Sequence, residues 1–453
     1  MSDFKAGYAR VNTTPMLGIA IEGYYVPRFA SGILDELEAG ALAVECGGRR
    51  VLLISVDVCG IEARLSRRYR EAIAKAAGVS PEDIFLSATH THTGPALTHL
   101  DTFEADDAPI ERYAAFLGER LSDAARMAIQ DLKPARMAFI VGHAPDRVAY
   151  IRRYKMKDGT TWTCPPINDP NIDHPIGELD QRVNVLRFDR EGGDTVVLVN
   201  YGLHADTING DRISPDWPGW MRRTLNDALG VRCMCFVGAQ GDVGSTHVFP
   251  SGGDMNDTEI SFDNEMKSPG MARFIGRALA GTVLQVYDKA EYVDVDQIDI
   301  LHRQVAVPAN LPAPEDLPRA HEYKALHEAD RDADIPYTAM ELTTGVAEAI
   351  RMCNLEHGPA EFHLELTGVR IGDIALIGLP GEPFTDIGRG LKQAPGWKLV
   401  LPCCITNGYE GYFPMKEAYD EGGYEARSSR FKAGTVERIV QEGLALLAEL
   451  KER

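Results

Sequence analysis

The sequence predicts an α/β fold: a mixed, largely parallel sheet core with helices, and a metal site at the strand carboxyl ends. Two observations carry this expectation. Short apolar, β-branched runs alternate with stretches of helical periodicity. Several of those runs also end directly in polar loops that carry histidine, aspartate or glycine, where open sheets hold their ligands.

The run Val51 to Val58 is apolar throughout, as in a strand buried on both faces. Helical periodicity follows from Leu65 to Ala77 and is stopped by Gly78. Ser80 then caps a new turn with Pro81 at its first position, leading into a strand over Ile84 to Ser87. Ala108 to Gln130 reads as a helix. Thr195 to His204 and Cys233 to Asp242 are apolar strands running into polar loops, with a helix over Trp220 to Leu229 between them.

Farther along, Asp146 to Asp180 and Val307 to Pro318 are proline-rich and read as long loops. Residues 318–353 are helical. Phe362 to Leu379 gives two strands around Gly372-Asp373, and Thr435 to Lys451 forms a final amphipathic helix. With no internal repeat, the chain is expected to be one domain over residues 1–453.

Of 453 residues, 44% are hydrophobic and 25% charged, which is enough for a substantial core. The net charge of −20 argues against nucleic acid and anionic lipid as partners, because both are polyanions. The N-terminus lacks a basic-then-apolar leader and the apolar runs are short, so a cytoplasmic location is expected. The eight cysteines fit that compartment. Cys233 and Cys235 are two apart and Cys403 and Cys404 adjacent, spacings that suit neither a disulfide framework nor a zinc ribbon, so all eight are read as reduced.

Five segments carry residues able to do chemistry. Thr89-His90-Thr91-His92-Thr93-Gly94-Pro95 places two imidazoles on one side of an extended chain. Imidazole is a good zinc ligand when its second nitrogen has a partner; the alternative is a turn in which the histidines bond to threonines. In Asn200-Tyr201-Gly202-Leu203-His204-Ala205-Asp206, Asp206 is a candidate partner for His204. Gly238 to Ser245 is a glycine-rich loop that lacks the Lys-Ser/Thr of a phosphate loop. Leu379-Pro380-Gly381-Glu382-Pro383-Phe384 pins a carboxylate at a strand end. Asn407 to Tyr412, with Tyr419 and Tyr424 behind it, clusters phenols able to ligate a Lewis acid or donate to an oxyanion.

In this order, the five segments resemble the catalytic domain of the neutral/alkaline ceramidase family. THTHTGP resembles the family's THTHSGP, NYGLH its strand ending in a second histidine, GAQGDV its GDVSPN loop, and LPGEPFT its PGEFTT. NGYEGYFPMKEAYDEGGYEA is similar to its tyrosine-rich motif, and GYARVNTTP to its opening. The resemblance implies Zn²⁺ held by His90, His204, Glu382 and Tyr412. It also implies His92 beside the metal as proton carrier, Tyr424 as oxyanion stabiliser, and Arg152 in contact with the substrate. For an arginine in Ile151-Arg152-Arg153, a surface salt bridge is the alternative.

There are departures. Gly241-Asp242-Val243-Gly244-Ser245-Thr246 does not keep the family's serine and proline in register, so no catalytic role passes to Ser245. No secretion signal or carboxyl-terminal immunoglobulin-like domain is evident. The expectation is therefore a zinc hydrolase acting on an amide or similar carbonyl bond of a small soluble molecule. The alternatives are ester, lactone or glycosidic cleavage on the same scaffold, or a metal-stabilised binding protein. A serine hydrolase is disfavoured because no G-x-S-x-G elbow is present.

Overall fold

The computed structural model describes residues 3–249 and 267–453. Two sheets lie face to face, with helices covering both outer surfaces. The larger sheet runs in the order Arg232–Val237, Val196–Tyr201, Arg182–Arg190, Lys133–His143, Lys5–Asn12, Glu38–Cys46, Arg49–Val56, Ile84–Ala88, and Glu291–Val293 also pairs with Lys133–His143. The smaller has the order Ile298–Pro308, Glu361–Ile371, Ile374–Gly378, Leu399–Cys403.

Alternation along each strand builds the layers. From Arg49–Val56, Leu53 faces the second sheet beside Phe85, Phe236, Leu376 and Leu401. Its neighbours Leu52 and Ile54 face the helices, against Ile73, Leu121 and Trp217. The outer face of the smaller sheet is covered by Thr435–Glu452, through Ile439, Leu446 and Leu447. Each fully buried Leu, Ile or Phe contributes roughly 1.5–3 kcal/mol, so these two-sided strands carry much of the stability.

The sheet is mixed, as expected, but it is not largely parallel. Lys5–Asn12, Glu38–Cys46, Lys133–His143 and Arg182–Arg190 pair antiparallel. A continuous apolar run reports burial on both faces; here helices cover one face and a second sheet covers the other, with no need for parallel neighbours. Within these two sheets the parallel pairs lie in three places: Arg49–Val56 with Ile84–Ala88, Val196–Tyr201 with Arg232–Val237, and Ile374–Gly378 with Leu399–Cys403. Their carboxyl ends converge. The Ala88 N–H donates to the Ile405 carbonyl at 3.1 Å and the Cys404 N–H to Val237 at 2.9 Å, joining the sheets where the polar loops begin.

Most other elements lie where the sequence places them, including Ala63–Ala77 closed by Gly78 in the left-handed conformation. After Ser80 only a single turn forms, Pro81–Asp83, with a reciprocal capping box. The stretch 146–180 is more than loop: Tyr150–Ile151, Arg153–Met156, Thr161–Thr163 and Ile172–Pro175 are short strands. Residues 318–353 form two helices, Leu317–Glu328 and Ala339–Leu355. All eight cysteines are unpaired. Among the described residues, no helix is long and apolar enough to cross a membrane.

Candidate metal centre

His90, His204 and Glu382 stand just past the ends of three different strands and meet in the interior. His90 is 1% exposed, His204 2% and Glu382 1%. Glu382 Oε2 lies 3.2 Å from His90 Nε2 and 2.9 Å from His204 Nε2. The positioning is local. His90 itself has φ +62°, so the chain kinks there rather than continuing the strand, and His92 returns to the same pocket with its Nε2 3.2 Å from that of His90. The threonines do not bond the rings; Thr91 and Thr93 donate to the Ser214 carbonyl.

Glu382 is held from two sides. Glu382–Pro383 pairs in parallel with Tyr412–Phe413, placing Glu382 beside Tyr412. Gly241 donates its N–H to the Pro383 carbonyl, and a Cβ there would sit 2.4 Å from the Glu382 carbonyl, so this approach requires glycine. The Tyr409 hydroxyl donates to Glu382 Oε1 at 3.0 Å.

The hydrogen-bond pattern points to a cation at the centre. His90 Nδ1 faces the Cys59 carbonyl at 2.7 Å, and His204 Nδ1 faces the Gln240 carbonyl at 2.8 Å. Carbonyl oxygens only accept, so each Nδ1 carries the hydrogen, and in neutral rings both Nε2 lone pairs face the carboxylate. Lone pair against lone pair is repulsive until a proton or a metal ion lies between. These three side chains form a group able to hold a metal ion. A second group, Cys59, His90 and His92, fits less well: His90 Nδ1 is already taken by the Cys59 carbonyl, and burial holds the Cys59 thiol well above its usual range. Burial opposes ionisation of Glu382, yet His90 and His204 outweigh it and hold the carboxyl well below its usual range. Burial, with Arg152 nearby, brings His204 down to about 4.

The remaining site residues surround this cluster. The Tyr412 hydroxyl is 3.5 Å from His204 Nε2, and its ring packs against Tyr424 at 5.4 Å between centroids. Arg152 is not a surface residue. Its Nε donates to Glu425 at 2.7 Å, its Nη1 lies 3.4 Å from His204 Nε2, and its buried Nη2 has no hydrogen-bond partner among the described residues. Asp206 does not partner His204. The loop after the adjacent parallel strand wraps over that imidazole with the Gln240 and Val243 carbonyls, leaving Asp206 Oδ1 3.9 Å from His92 Nδ1. Asp242 accepts from the Thr385 N–H at 2.8 Å and its hydroxyl at 2.9 Å, fixing the start of the Thr385–Leu391 helix, and the buried Ser245 hydroxyl has no partner among the described residues. Of the loop from Gly244 to Asp263, residues 250–263 lie outside the described residues.

Several contributors had no local signal. Buried Glu425 holds Arg152 and Thr163, and Tyr24 and Lys267 both bond Asp206; Tyr409, from the phenol cluster the sequence does show, supports Glu382. A cavity of about 300 Å³ opens over the cluster, lined there by Cys59, Glu382, Tyr409, Tyr412 and Tyr424, with Glu22 on its wall.

Two packed sheets, helices on both outer faces and a buried His–His–Glu cluster at the parallel strand ends define a four-layer α/β protein whose site is able to hold a metal ion. The particular fold is that of neutral ceramidase. The chain is similar to the neutral ceramidase of Pseudomonas aeruginosa at 18% identity and a TM-score of 0.74, covering 100% of this chain and 75% of that one. It is similar also to a ceramidase complexed with C2, at 19% identity and a TM-score of 0.74, covering 100% and 76%. No family model matches the sequence, and no curated protein matches it at sequence level.

Proposed function

We propose that this chain is a zinc-dependent hydrolase cleaving an amide bond of a small soluble molecule, with His90, His204, Glu382 and Tyr412 as metal ligands. The observation that carries the reading is the meeting of two imidazole Nε2 atoms at Glu382 Oε2, each ring fixed by a carbonyl at Nδ1. Two nitrogens and a carboxylate suit zinc, and a phenol adds a fourth ligand. The fold likeness to enzymes named ceramidases supports an amide as the bond cleaved. When bound, zinc supplies a Lewis acid that acidifies water and polarises a carbonyl.

The protein's own groups do the rest. Burial holds His92 well below its usual range, so the ring is neutral at physiological pH and takes a proton from water for the leaving amine. Burial, with Tyr25 beside it, keeps Tyr424 protonated, and its hydroxyl donates to the oxygen that gains charge. Arg152 Nη2, with no hydrogen-bond partner among the described residues, points its donors to the same oxygen or a neighbouring substrate atom, and Glu425 keeps the guanidinium oriented. Elemental analysis of protein purified without added metal tests the reading. About one zinc per chain, with amine released from short N-acyl amines only by the zinc-loaded form, is the expected result; full activity without metal overturns it.

A further inference from the structure

The cavity over the cluster is walled by four carboxylates, three of which have no ion-pair partner among the described residues. Glu22, Glu62, Asp101 and Glu410 line it, against Arg351 and Arg430. Both arginines are engaged: Arg430 Nη2 donates to Glu410 at 2.9 Å, and Arg351 donates to the Arg427 and Asn310 carbonyls at 2.9 and 2.6 Å. Among the described residues, the Glu62 carboxylate accepts only from the Thr98 hydroxyl at 3.2 Å, and that of Asp101 only from the Asn354 amide at 3.0 Å. The Glu22 carboxylate, half-buried on the cavity wall, takes no hydrogen bond or ion pair from any described residue.

An unpaired carboxylate in such a place is costly unless a ligand supplies the countercharge. Burial, with Glu62 facing it, pushes the Glu22 carboxyl up to about 8 even though His90 pulls the other way, so the group holds its proton in the empty cavity and ionises when a cation arrives. A metal ion does not fit the wall. The only side-chain groups close enough to hold one, among the described residues, are the two at His90. An organic cation is larger, reaches several carboxylates at once, and packs its stem on the phenols of Tyr25 and Tyr409 in the same wall.

Resting on the hydrolase reading, we propose that the substrate is an amide carrying an ammonium or guanidinium group, with Glu22 as its countercharge and Glu62 and Asp101 at the rim drawing it in. A charge-assisted hydrogen bond is about twice as strong as a neutral one, so charge is what the wall selects. The net charge of −20 favours the approach of such a substrate and disfavours an anionic one.

The test separates binding from turnover. Propylguanidinium is always charged and N-propylurea is its neutral near-isostere, able to offer similar hydrogen bonds. By titration calorimetry on the zinc-loaded protein, the cation should bind at least about tenfold more tightly. Glu22→Gln should remove about that factor for the cation and leave the urea unchanged, and the exposed Glu62→Gln should give a smaller loss in the same direction. Equal affinities, or cation binding indifferent to both substitutions, overturn the proposal. In parallel, N-acetyl-4-guanidinobutylamine and its 4-ureido counterpart are offered as substrates. If neither is cleaved while Glu22-dependent cation binding persists, the hydrolase reading fails and the cation site stands. If both are cleaved at equal kcat/KM, the hydrolase reading stands and the cation site falls.

Discussion

Gly23→Ala probes whether His92 is held at the reacting bond. Gly23 has φ +116°, and a Cβ built there would lie 2.7 Å from His92 Nδ1 and 2.8 Å from its Cγ. Ordinary contact begins near 3.4 Å, so the ring must retreat by about 0.7 Å or the backbone must shift. The backbone is itself in a region that L-residues rarely adopt, costing about 1–3 kcal/mol. His92 cannot move freely, because its N–H bonds the Ala205 carbonyl and Arg28 holds its own carbonyl at 2.8 Å. The imidazole therefore swings off its line to His90 Nε2. Displacements of this order cost about a hundredfold in rate when the group transfers a proton. The assay is amine release from short N-acyl amines, with zinc content and urea unfolding measured on the same preparation. The expected variant is folded, keeps its zinc and loses about a hundredfold in kcat. Wild-type turnover from folded, zinc-loaded protein would refute the reasoning. Loss of zinc together with turnover would place His92 among the ligands.

His204→Ala should lose the metal, whereas His92→Ala should keep it and lose turnover; zinc content and rate in the two variants decide. Chelation should lower the urea midpoint and zinc should restore it, since zinc at a hundredfold above its Kd adds about 2.7 kcal/mol. Glu425→Gln removes the charge opposite Arg152 and should cost about 3–5 kcal/mol by urea unfolding, because the guanidinium stays buried without its counterion. Asp180 gives a pH signature: burial would raise its carboxyl, but Arg182 and Lys392 outweigh it and bring it to about 2. Its folded value lies below the unfolded 3.8, so its stabilisation of about 2 kcal/mol is present above pH 4 and lost as pH falls towards 2. Asp180→Asn should lower the urea midpoint at pH 7 and differ progressively less from wild type between pH 4 and pH 2.

What the sequence made legible is what a short stretch of chain decides. The apolar run into Val56, the Gly78 stop and the two strands around Gly372 are set by burial and by turn geometry over a few residues, and they stand where the pattern puts them. The segments bearing His90, His204 and Glu382 were visible because each follows a strand end, and that of Tyr412 because it clusters phenols; those strand ends do converge. Tertiary structure alone decided the rest. Strand pairing direction was not readable, because an apolar run is the same whether a helix, a sheet or a parallel neighbour covers it. Partners were not readable either: Asp206 finds Tyr24 across 182 residues, and Arg152 finds Glu425 across 273. Nor could the sequence show that Glu22 ends in a cavity with no ion-pair partner among the described residues. Residue type fixes what a side chain can do, but its pKa, its partner and the face it presents depend on the dielectric and charges that only the folded chain assembles around it.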